Sequence, residues 1–327
     1  MSSPSVQQAL SLAADGQIDR ASALLHAAGE QGSADAWMQL AVWHLIGAPL
    51  PRDLDKARLH LARAVASGHV DGALMEIALT ANGNGGHLPA DWQAARAALA
   101  EAARTDHVAA AQVTLLDRMA LASDGGPLNT PAGRPVRADP RVEHFPGFLT
   151  RDECAHIAGA AQALLAPSFV LDPNSGRPIP HPIRTSDGGA IGPTNEDLVI
   201  RAINLRIAAA TGTAVDQGES LTVLRYARGQ EYRRHLDTIA GAANQRIATF
   251  IIYLNEGFEG GETHFPLLNI QVRPRVGDAI RFDTVQADGM PDQRLVHTGQ
   301  PVRNGVKWIA TRWMRQTPVD PWTIAAG

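Results

Sequence analysis

Three residue types are scarce or unevenly placed in this chain of 327 residues. The one cysteine, Cys154, excludes an intrachain disulfide and fits a reducing compartment. Lysine occurs only at Lys56 and Lys307, and arginine supplies the other basic side chains. Tyrosine occurs three times, each time in the second half of the chain. A lysine or tyrosine is therefore informative about the position where it does occur.

Long apolar runs and a strong excess of one charge are also missing. No uninterrupted apolar stretch reaches the roughly 18 residues that a membrane-spanning helix needs. The N-terminal MSSPSVQQAL lacks the basic segment and apolar run of a signal peptide. The formal net charge of -4 argues against electrostatic binding to nucleic acid or to an anionic membrane. We therefore expect a cytoplasmic protein whose partners include neither nucleic acid nor membrane.

The first part of the chain is rich in Ala and Leu at helical spacing, and it repeats. LDKARLHLARAVASGHV at 54–70 resembles WQAARAALAEAARTDHV at 92–108, an offset of 38 residues, and a shorter divergent copy spans 18–37. Two helices in each repeat of this length predict a helical solenoid, with a plain helical bundle as the alternative.

Small residues within these repeats, Ala36, Ala73 and Ala111, are expected where the helices approach closely. The pattern resembles the short-repeat, bacterial-type branch of the tetratricopeptide-like family. We therefore predict an α-helical repeat domain over residues 1–122 of a bacterial cytoplasmic protein.

The composition changes after this region. Residues 123–140 hold four Pro and three Gly, which suits a linker or extended segment. In the predicted second domain, 141–327, a helix begins with Thr150 as N-cap and Glu153 three residues later. A loop rich in Pro, Gly, Asn and Ser is expected over 166–196, and a second helix over about 195–211.

Strand-like segments follow Gly218 and are rich in β-branched and aromatic residues. RIATFIIYLN at 246–255 is apolar on both faces, so we expect it in the middle of a sandwich. Many short strands separated by turns predict a double-stranded β-helix, or jelly roll, with flanking helices. The fold class is therefore α+β with two domains. The segments are LTVLRY, RIATFIIYLN, IQVRP, DAIRF, RLVHTG and VKWIATRWM.

A candidate metal site starts from His235 and Asp237, which are two positions apart and so share one side of a strand. His297 lies 60 residues after Asp237, between strand-like segments, where closure of the fold brings it opposite. Two histidines and one carboxylate on one face of an ion form the facial triad of Fe(II) oxygenases. A zinc hydrolase uses similar ligands but also needs a water-activating base.

The sequence around these residues resembles the prolyl 4-hydroxylase family of Fe(II)- and 2-oxoglutarate-dependent dioxygenases over about residues 142–316. The resemblance implies that His235, Asp237 and His297 bind Fe(II) and are the catalytic residues. It further implies 2-oxoglutarate, dioxygen and ascorbate as cofactors. The matching segments are FPGFLTRDEC, SFVLDPNSG, RTSDGG, LTVLRYARGQEYRRHLD, RIATFIIYLNEGFEGGETHFP, VRPRVGDAIRFD and HTGQPVRNGVKWIATRW.

The resemblance also implies the co-substrate site. Lys307, ten residues after His297, matches the lysine that pairs with the distal carboxylate of 2-oxoglutarate. A buried ammonium is costly unless it is paired, so this lysine is expected to be a specific anchor. Tyr226, Thr263 and Thr311 match hydroxyl donors of the same pocket, although threonines are also ordinary strand residues.

The resemblance implies that Tyr232 and Arg246 lie around the peptidyl-proline of the substrate. Trp313 shares the strand face of Thr311 and Lys307, so it is also expected to form a wall of the pocket. Core packing is the alternative for each. The sequence departs from the family at Thr238, where an aromatic residue is common. The loops at 166–196 and 238–245 also differ in sequence from the family. Since these regions are expected to contact the substrate, the sequence does not identify the substrate.

The function predicted from these features is hydroxylation of a prolyl residue in a peptide or protein, with the helical repeats as a docking arm. One alternative is a hydroxylase of a small molecule or free amino acid. Another is a binding module with an inactive oxygenase fold, against which the triad and Lys307 argue. Nucleic-acid demethylation is disfavoured because the chain has no basic stripe and because related demethylases use arginine at the position of Lys307.

Overall fold

The structure is a computed structural model that describes residues 3–84, 86–171, 178–273 and 275–322. The chain divides into two compact units. One comprises residues 1–118 and 193–201, and the other comprises residues 119–192 and 202–327. Within the described residues, none of the helices combines the length and apolar character needed to cross a bilayer.

The first unit contains helices that pack in sequence, each against the next along the chain. Most begin with a side chain that accepts the N–H three residues later, as Asp53 and Asp91 do for Lys56 and Ala94. The helices are α1 Pro4–Ala14, α2 Ile18–Glu30, α3 Ala34–Ile46, α4 Leu54–Ala66, α5 Val70–Asn82, α6 Trp92–Ala102 and α7 His107–Leu116.

The repeat seen in the sequence has a counterpart in burial. The first helix of each copy buries an alanine and, four residues later, a leucine on one face, and all six side chains are fully buried: Ala21 and Leu25, Ala57 and Leu61, Ala95 and Leu99. In the second helix of each copy, Ala36, Ala73 and Ala111 were expected to be buried at close helix contacts. This is right for Ala36 only, because Ala73 is half-buried and Ala111 is exposed. The buried small residues are instead Gly72 and Ala109, each three residues after an N-cap, as Ala36 is.

Two further helices are α8 Arg151–Gln162 and α9 Leu198–Thr211. The predicted capping box of α8 is confirmed: the Glu153 N–H donates to the Thr150 hydroxyl, and the Thr150 N–H donates to the Glu153 carboxylate. Single 3₁₀ turns lie at Val215–Gln217 and Gln293–Leu295.

The strands form mainly antiparallel sheets. They are β1 Arg134–Arg137, β2 Val142–Phe145, β3 Ala166–Pro167, β4 Phe169–Leu171, β5 Pro178–Pro180, β6 Asp187–Ile191, β7 Leu221–Tyr226, β8 Tyr232–His235, β9 Arg246–Tyr253, β10 Glu259–Gly260, β11 Thr263–Phe265, β12 Ile270–Val272, β13 Ala279–Asp283, β14 His297–Gly299, β15 Val302–Asn304 and β16 Lys307–Arg315.

Two sheets position the site. The larger has the order β1-β2-β13-β9-β16-β7-β6-β3, and the smaller has the order β12-β11-β14-β8. An apolar core joins Tyr253, Phe282 and Ile309 of the larger sheet to Phe265 of the smaller. Antiparallel sheets that share a core in this way are consistent with the predicted jelly roll. As predicted, β9 is central, since it pairs with β13 on one side and β16 on the other.

Strand boundaries differ from prediction where turn chemistry intervenes. RLVHTG begins as a 3₁₀ turn in which Asp292 accepts the Arg294 N–H, so strand β14 starts only at His297.

The predicted loop 166–196 contains β3 to β6, of which β4 and β5 pair with each other. Residues 172–176 of SFVLDPNSG lie outside the described residues. The predicted linker 123–140 contains strand β1, which lies at the edge of the larger sheet. Pro135 is tolerated there because an edge strand can lack a backbone N–H donor without breaking the hydrogen bonding of the sheet interior.

Candidate active site

Pairing of two short strands brings the predicted metal ligands together. In the β8–β14 ladder, His235 lies opposite His297. Asp237 follows two residues after the end of β8, in a bend rather than in the strand. Its carboxylate oxygens lie 3.5 Å from His235 Nε2 and 3.8 Å from His297 Nε2. One ligand atom from each of the three residues lies within 4.8 Å of the others. We call these residues the metal triad.

Backbone carbonyls orient both imidazoles of the triad. His235 Nδ1 donates to the Arg233 carbonyl at 2.7 Å, and His297 Nδ1 donates to the Leu295 carbonyl at 3.1 Å. This tautomer leaves each Nε2 with a free lone pair, which is how metal-bound histidines are usually held. Burial, followed by the neighbouring His235, lowers the pKa of His297 to about 4, so the ring is neutral and available as a ligand.

The carboxylate of Asp237 is held ionised by its neighbours. Burial alone raises the pKa of a carboxyl group, but the adjacent imidazoles and the Thr249 hydroxyl outweigh it and lower the Asp237 pKa well below its usual range. Thr249 Oγ1 donates to Asp237 Oδ2 at 2.6 Å. The Arg246 guanidinium donates to the backbone carbonyl of Asp237 at 3.2 Å. Side chain and backbone of Asp237 are thus both fixed.

A β-bulge places Tyr232 against the triad. Between the pairs His297–His235 and Gly299–Tyr232, β8 contains one residue more than β14. Residues three apart in a regular strand face opposite ways, but the extra residue re-aims one of them. The Tyr232 ring therefore stacks on the His235 ring, with centroids 3.4 Å apart and planes at 12°. Sequence alone predicted a role for Tyr232 but gave no sign of this stacking.

Lys307 lies in the same cavity as the triad and is 2% exposed. Its ammonium donates to the Gly261 carbonyl at 2.6 Å and lies 5.3 Å from the centre of the Tyr226 ring. Burial lowers the Lys307 pKa to about 8, and the negative charge of Glu262 partly opposes this shift. Among the described residues, no carboxylate forms an ion pair with Lys307. A buried cation in this situation is suited to a ligand that brings its own carboxylate.

Tyr253 is a residue of this region that sequence reasoning treated only as part of a core strand. Its ring is fully buried, its hydroxyl donates to Thr263 Oγ1 at 2.9 Å, and Lys307 Nζ lies 5.9 Å from its ring centre. The scarcity of tyrosine was the available signal, because Tyr253 is one of only three tyrosines in the chain. Tyr253 therefore sets the direction of the Thr263 hydroxyl.

One cavity contains most of the predicted site. Apolar side chains, Leu224, Ile251 and Ile309, form part of its wall and reduce access of water to the polar groups. The predicted residues that line it are Tyr226, Tyr232, His235, Asp237, Thr263, His297, Lys307, Thr311 and Trp313.

Arg246 is the one predicted site residue that does not line this cavity. Its guanidinium forms a bidentate ion pair with Glu219, at 2.7 and 2.8 Å, and lies 4.1 Å from the centre of the Trp313 ring. Glu219 also pairs with Arg315. The indole N–H of Trp313 is buried and has no hydrogen-bond partner among the described residues. Arg246 thus supports the cavity from behind Trp313, in a network that the sequence did not indicate.

The donor set of the triad fits Fe(II). Two neutral imidazoles and one carboxylate converge, and together they would occupy one face of an ion and leave the other face to the cavity. A zinc hydrolase would also need a base beside the metal. Among the described residues, the lining of the cavity includes no further carboxylate or histidine, and it includes the buried ammonium of Lys307 instead. Fold and site together are those of a metal-dependent oxygenase whose cavity also holds a buried cation.

Comparison with known proteins gives the family. The sequence profile of the 2OG-Fe(II) oxygenase superfamily matches residues 221–315. Prolyl 4-hydroxylase 1 of Arabidopsis thaliana is 36% identical over 200 residues, which are 55% of this chain and 71% of that protein. Probable prolyl 4-hydroxylase 3 of the same plant is 34% identical, over 54% of this chain and 69% of that protein. A solved viral collagen prolyl hydroxylase from Paramecium bursaria Chlorella virus-1 is 29% identical, with a TM-score of 0.44, over 54% of this chain and 96% of that one.

The chain belongs to the prolyl 4-hydroxylase family. It is a 2-oxoglutarate-dependent dioxygenase, and membership of this superfamily implies Fe(II), 2-oxoglutarate and dioxygen as its cofactors. The resemblance of residues 142–316 to the prolyl 4-hydroxylase family is confirmed.

Proposed function

We propose that this protein hydroxylates a prolyl residue of a peptide or protein substrate. The observation that carries the proposal is that the metal triad and the buried Lys307 line a single cavity. The triad would hold the metal that binds one end of 2-oxoglutarate, and Lys307 would bind the carboxylate at the other end. The relatives named prolyl 4-hydroxylase support the prolyl substrate.

In this proposal His235, Asp237 and His297 hold Fe(II). The bound metal supplies the oxidative decarboxylation of 2-oxoglutarate and the insertion of one oxygen atom into a C–H bond. The protein contributes geometry. Carbonyls of Arg233 and Leu295 fix the two rings, and Thr249 fixes the carboxylate, so the ligands need little reorganisation when metal binds.

Lys307 is proposed to neutralise the distal carboxylate of 2-oxoglutarate. Its ammonium already lacks a carboxylate partner within the described residues, so binding would satisfy a charge that folding leaves unpaired. The hydroxyls of Tyr226, Thr263 and Thr311 are proposed to donate hydrogen bonds in the same pocket. Tyr226 stays protonated because burial raises its pKa, and a protonated phenol can donate to a carboxylate.

Tyr232, Trp313 and Arg246 are proposed to form the substrate side of the site. Tyr232 and Trp313 offer flat surfaces in the cavity wall, which suit a pyrrolidine ring. Burial raises the Tyr232 pKa to about 12, so its hydroxyl is protonated at neutral pH. Arg246 contributes through Trp313, because its guanidinium lies over the ring, 4.1 Å from the ring centre.

Three finer features remain predictions. Ascorbate as a reductant and a cytoplasmic location follow from the sequence resemblance and composition. We also propose that the first unit, residues 1–118 with 193–201, is a solenoid that docks a protein substrate. The sequential packing of its helices and the equivalent buried Ala and Leu pairs support this role.

Turnover of 2-oxoglutarate tests the proposal. With Fe(II) and a proline-rich peptide, we expect succinate to form faster than without peptide, and hydroxyproline to appear in the peptide by mass spectrometry. Stimulation by free amino acids alone would show instead that the substrate is a small molecule. Absence of both iron binding and succinate formation would mean that the site is inactive.

A further inference from the structure

A short turn at residues 181–184 lies beside Tyr232, which lines the cavity, and the His181 side chain closes this turn. His181 Nδ1 accepts the backbone N–H groups of Ile183, at 3.3 Å, and of Arg184, at 3.0 Å. The imidazole thus acts as the side-chain acceptor that an aspartate or asparagine provides in an Asx turn. The ring edge of His181 also meets the face of Tyr232, with centroids 5.9 Å apart and planes at 85°.

The turn aligns the next residues with the edge of β8. Arg233 N–H donates to the Ile183 carbonyl at 2.8 Å, and Thr185 N–H donates to the Glu231 carbonyl at 3.1 Å. Arg184 consequently lies opposite Tyr232 in an isolated antiparallel bridge. A change in the turn would therefore be transmitted directly to the strand that carries Tyr232.

Arg184 is the charged group that this arrangement places beside Tyr232. Its guanidinium lies 5.5 Å from the centre of the Tyr232 ring, and its Nε donates to Ser168 Oγ at 3.1 Å. Among the described residues, no carboxylate forms an ion pair with it. An arginine in this setting has hydrogen-bonding capacity left for a bound substrate.

We propose that His181 is a positioning residue for substrate binding, which holds Arg184 and Tyr232 in place through its two hydrogen bonds and its ring contact. The proposal rests on the proposed function only in taking a peptide as the substrate. His297 and Lys307 are fixed by β14, β16 and their own hydrogen bonds. His235 lies at the other end of β8 from Tyr232, where its pairing with His297 and the Arg233 carbonyl hold it, so its orientation does not rest on the turn alone.

The protonation state of His181 agrees with this role. Burial, followed by the nearby Arg184, lowers its pKa from the ordinary value, so the ring is neutral at pH 7. Because Nδ1 accepts both N–H groups, the proton is on Nε2.

Three substitutions separate the two contacts of His181. His181→Asn keeps a side-chain acceptor for the turn but loses the ring, His181→Phe keeps a ring beside Tyr232 but loses the acceptor, and His181→Ala loses both. His87→Ala is the matched control, because the His87 side chain is 94% exposed and lies in the first unit. All are made in the full chain with Fe(II) bound.

The first measurement is steady-state kinetics with a proline-rich peptide. For His181→Ala we expect the KM for peptide to rise about tenfold, the loss expected for one or two neutral hydrogen bonds. The KM for 2-oxoglutarate and the peptide-independent formation of succinate should stay as in wild type. Most of the loss should be recovered in His181→Asn and little in His181→Phe.

The second measurement is amide hydrogen exchange over residues 182–186, which needs no substrate. We expect faster exchange at Ile183 and Arg184 in His181→Ala and His181→Phe, with wild-type protection in His181→Asn and His87→Ala. Equal protection in all variants overturns the proposal, and so does a rise in the KM for 2-oxoglutarate equal to that for peptide. A wild type that consumes 2-oxoglutarate but hydroxylates no peptide contradicts the proposed function instead, and hydrogen exchange then still decides the role of His181.

Discussion

Among the described residues, each compact unit holds a group of buried or half-buried histidines, and the two groups differ in what they can bind. The metal triad in the second unit joins two histidines to a carboxylate. In the first unit, His26, Trp37, His44 and His60 form a cluster that we call the histidine stack. The pKa is lowered to about 4 both for His297 of the triad and for His60 of the stack, with burial as the largest cause in each case. Burial of neutral imidazoles is therefore common to both groups.

The geometry of the rings separates them. His60 lies between Trp37 and His44, with centroids 5.5 and 5.6 Å away and planes at 13° in both pairs. The nitrogen lone pairs of stacked rings lie in parallel planes, so they do not meet at one point. In the triad, the rings of His235 and His297 are tilted by 56°, and carbonyl groups on both Nδ1 atoms turn the Nε2 atoms toward Asp237. Within the part of the chain that the structure describes, only the triad offers three converging ligand atoms. A metal site thus requires oriented rings and a carboxylate in addition to buried histidine.

The largest effect is expected from removing a triad ligand. Asp237→Ala should abolish iron binding and lower succinate formation by more than about 1,000-fold, because the metal carries the chemistry. Binding of Co(II), followed by absorbance, and succinate by mass spectrometry measure the two effects. His60→Phe, which keeps a ring in the histidine stack, should retain both. Normal succinate formation in Asp237→Ala would contradict the assignment of the triad.

The next effect concerns Lys307, the buried cation that has no equivalent in the histidine stack. Lys307→Met should raise the KM for 2-oxoglutarate about 100-fold, because a buried carboxylate would lose its counter-ion. The other lysine provides the control: Lys56→Met removes a side chain that is 63% exposed and should leave the KM unchanged. Lys307→Met should remain folded by circular dichroism, since methionine replaces a charge that has no carboxylate partner among the described residues. An equal KM in both variants would remove Lys307 from the co-substrate site.

The same lysine predicts a pH dependence. Its pKa is lowered to about 8, and 2-oxoglutarate favours the protonated form. Affinity for 2-oxoglutarate should therefore be intact below pH 8 and fall as the pH rises through this value. The KM of the wild type, measured between pH 7 and pH 9, tests this expectation. A KM that is flat over this range would indicate that the ammonium does not contact the co-substrate.

The histidine stack is expected to affect stability instead of activity. The folded pKa of His60 is about 4 and the ordinary value is 6.5, so between these values the unfolded chain binds a proton that the folded chain does not. The stabilising contribution is present above pH 6.5 and is lost as the pH falls toward 4, by up to about 3 kcal/mol. Of the groups around it, His26, His44, Arg63 and Lys56 lower this pKa further.

Thermal unfolding followed by circular dichroism measures this loss. The difference in Tm between pH 7 and pH 5 should be smaller in His60→Phe than in wild type. His87→Ala, with an exposed side chain, should keep the wild-type difference. An unchanged difference in His60→Phe would mean that His60 is not the titrating group.

The smallest effect sharpens the role of orientation within the triad. Thr249→Val keeps the shape of the side chain but removes the 2.6 Å hydrogen bond to Asp237 Oδ2. We expect affinity for Fe(II) to fall about tenfold, the lower end of the range for groups that hold a metal ligand. Thr249→Ser should restore most of the affinity because it keeps the hydroxyl. Equal affinity in the valine and serine variants would show that the carboxylate needs no such support.

Several of these features were predictable from local sequence. Strands such as β7, LTVLRY, and β9 were found because β-branched and aromatic residues cluster in them. The capping box at Thr150 and Glu153 was found because its two hydrogen bonds depend on residues only three positions apart. The predicted close helix contacts at Ala73 and Ala111 were wrong. A shift of one position moves a residue to another face of a helix, and an Ala-rich repeat does not reveal which of its alanines faces the neighbouring helix.

Contacts between distant segments were not predictable in this way. Arg246 was expected at the substrate, yet its partners Glu219 and Arg315 come from other parts of the chain and hold it behind Trp313. The bulge that stacks Tyr232 on His235 depends on the register between β8 and β14. Tyr253 looked like a core residue because the sequence of its strand does not reveal which hydroxyl lies opposite.

The sequence by itself determined the chemistry available to this protein: two histidines and an aspartate for the metal, and a lysine in a chain that otherwise uses arginine. Those residue types carry their ligand atoms and charges wherever they are placed. Only the tertiary structure decided that the groups converge, that both imidazoles present Nε2, and that Lys307 is left without a carboxylate partner among the described residues. The reason is that direction and burial come from strand pairing over 60 residues and more, which no local pattern specifies.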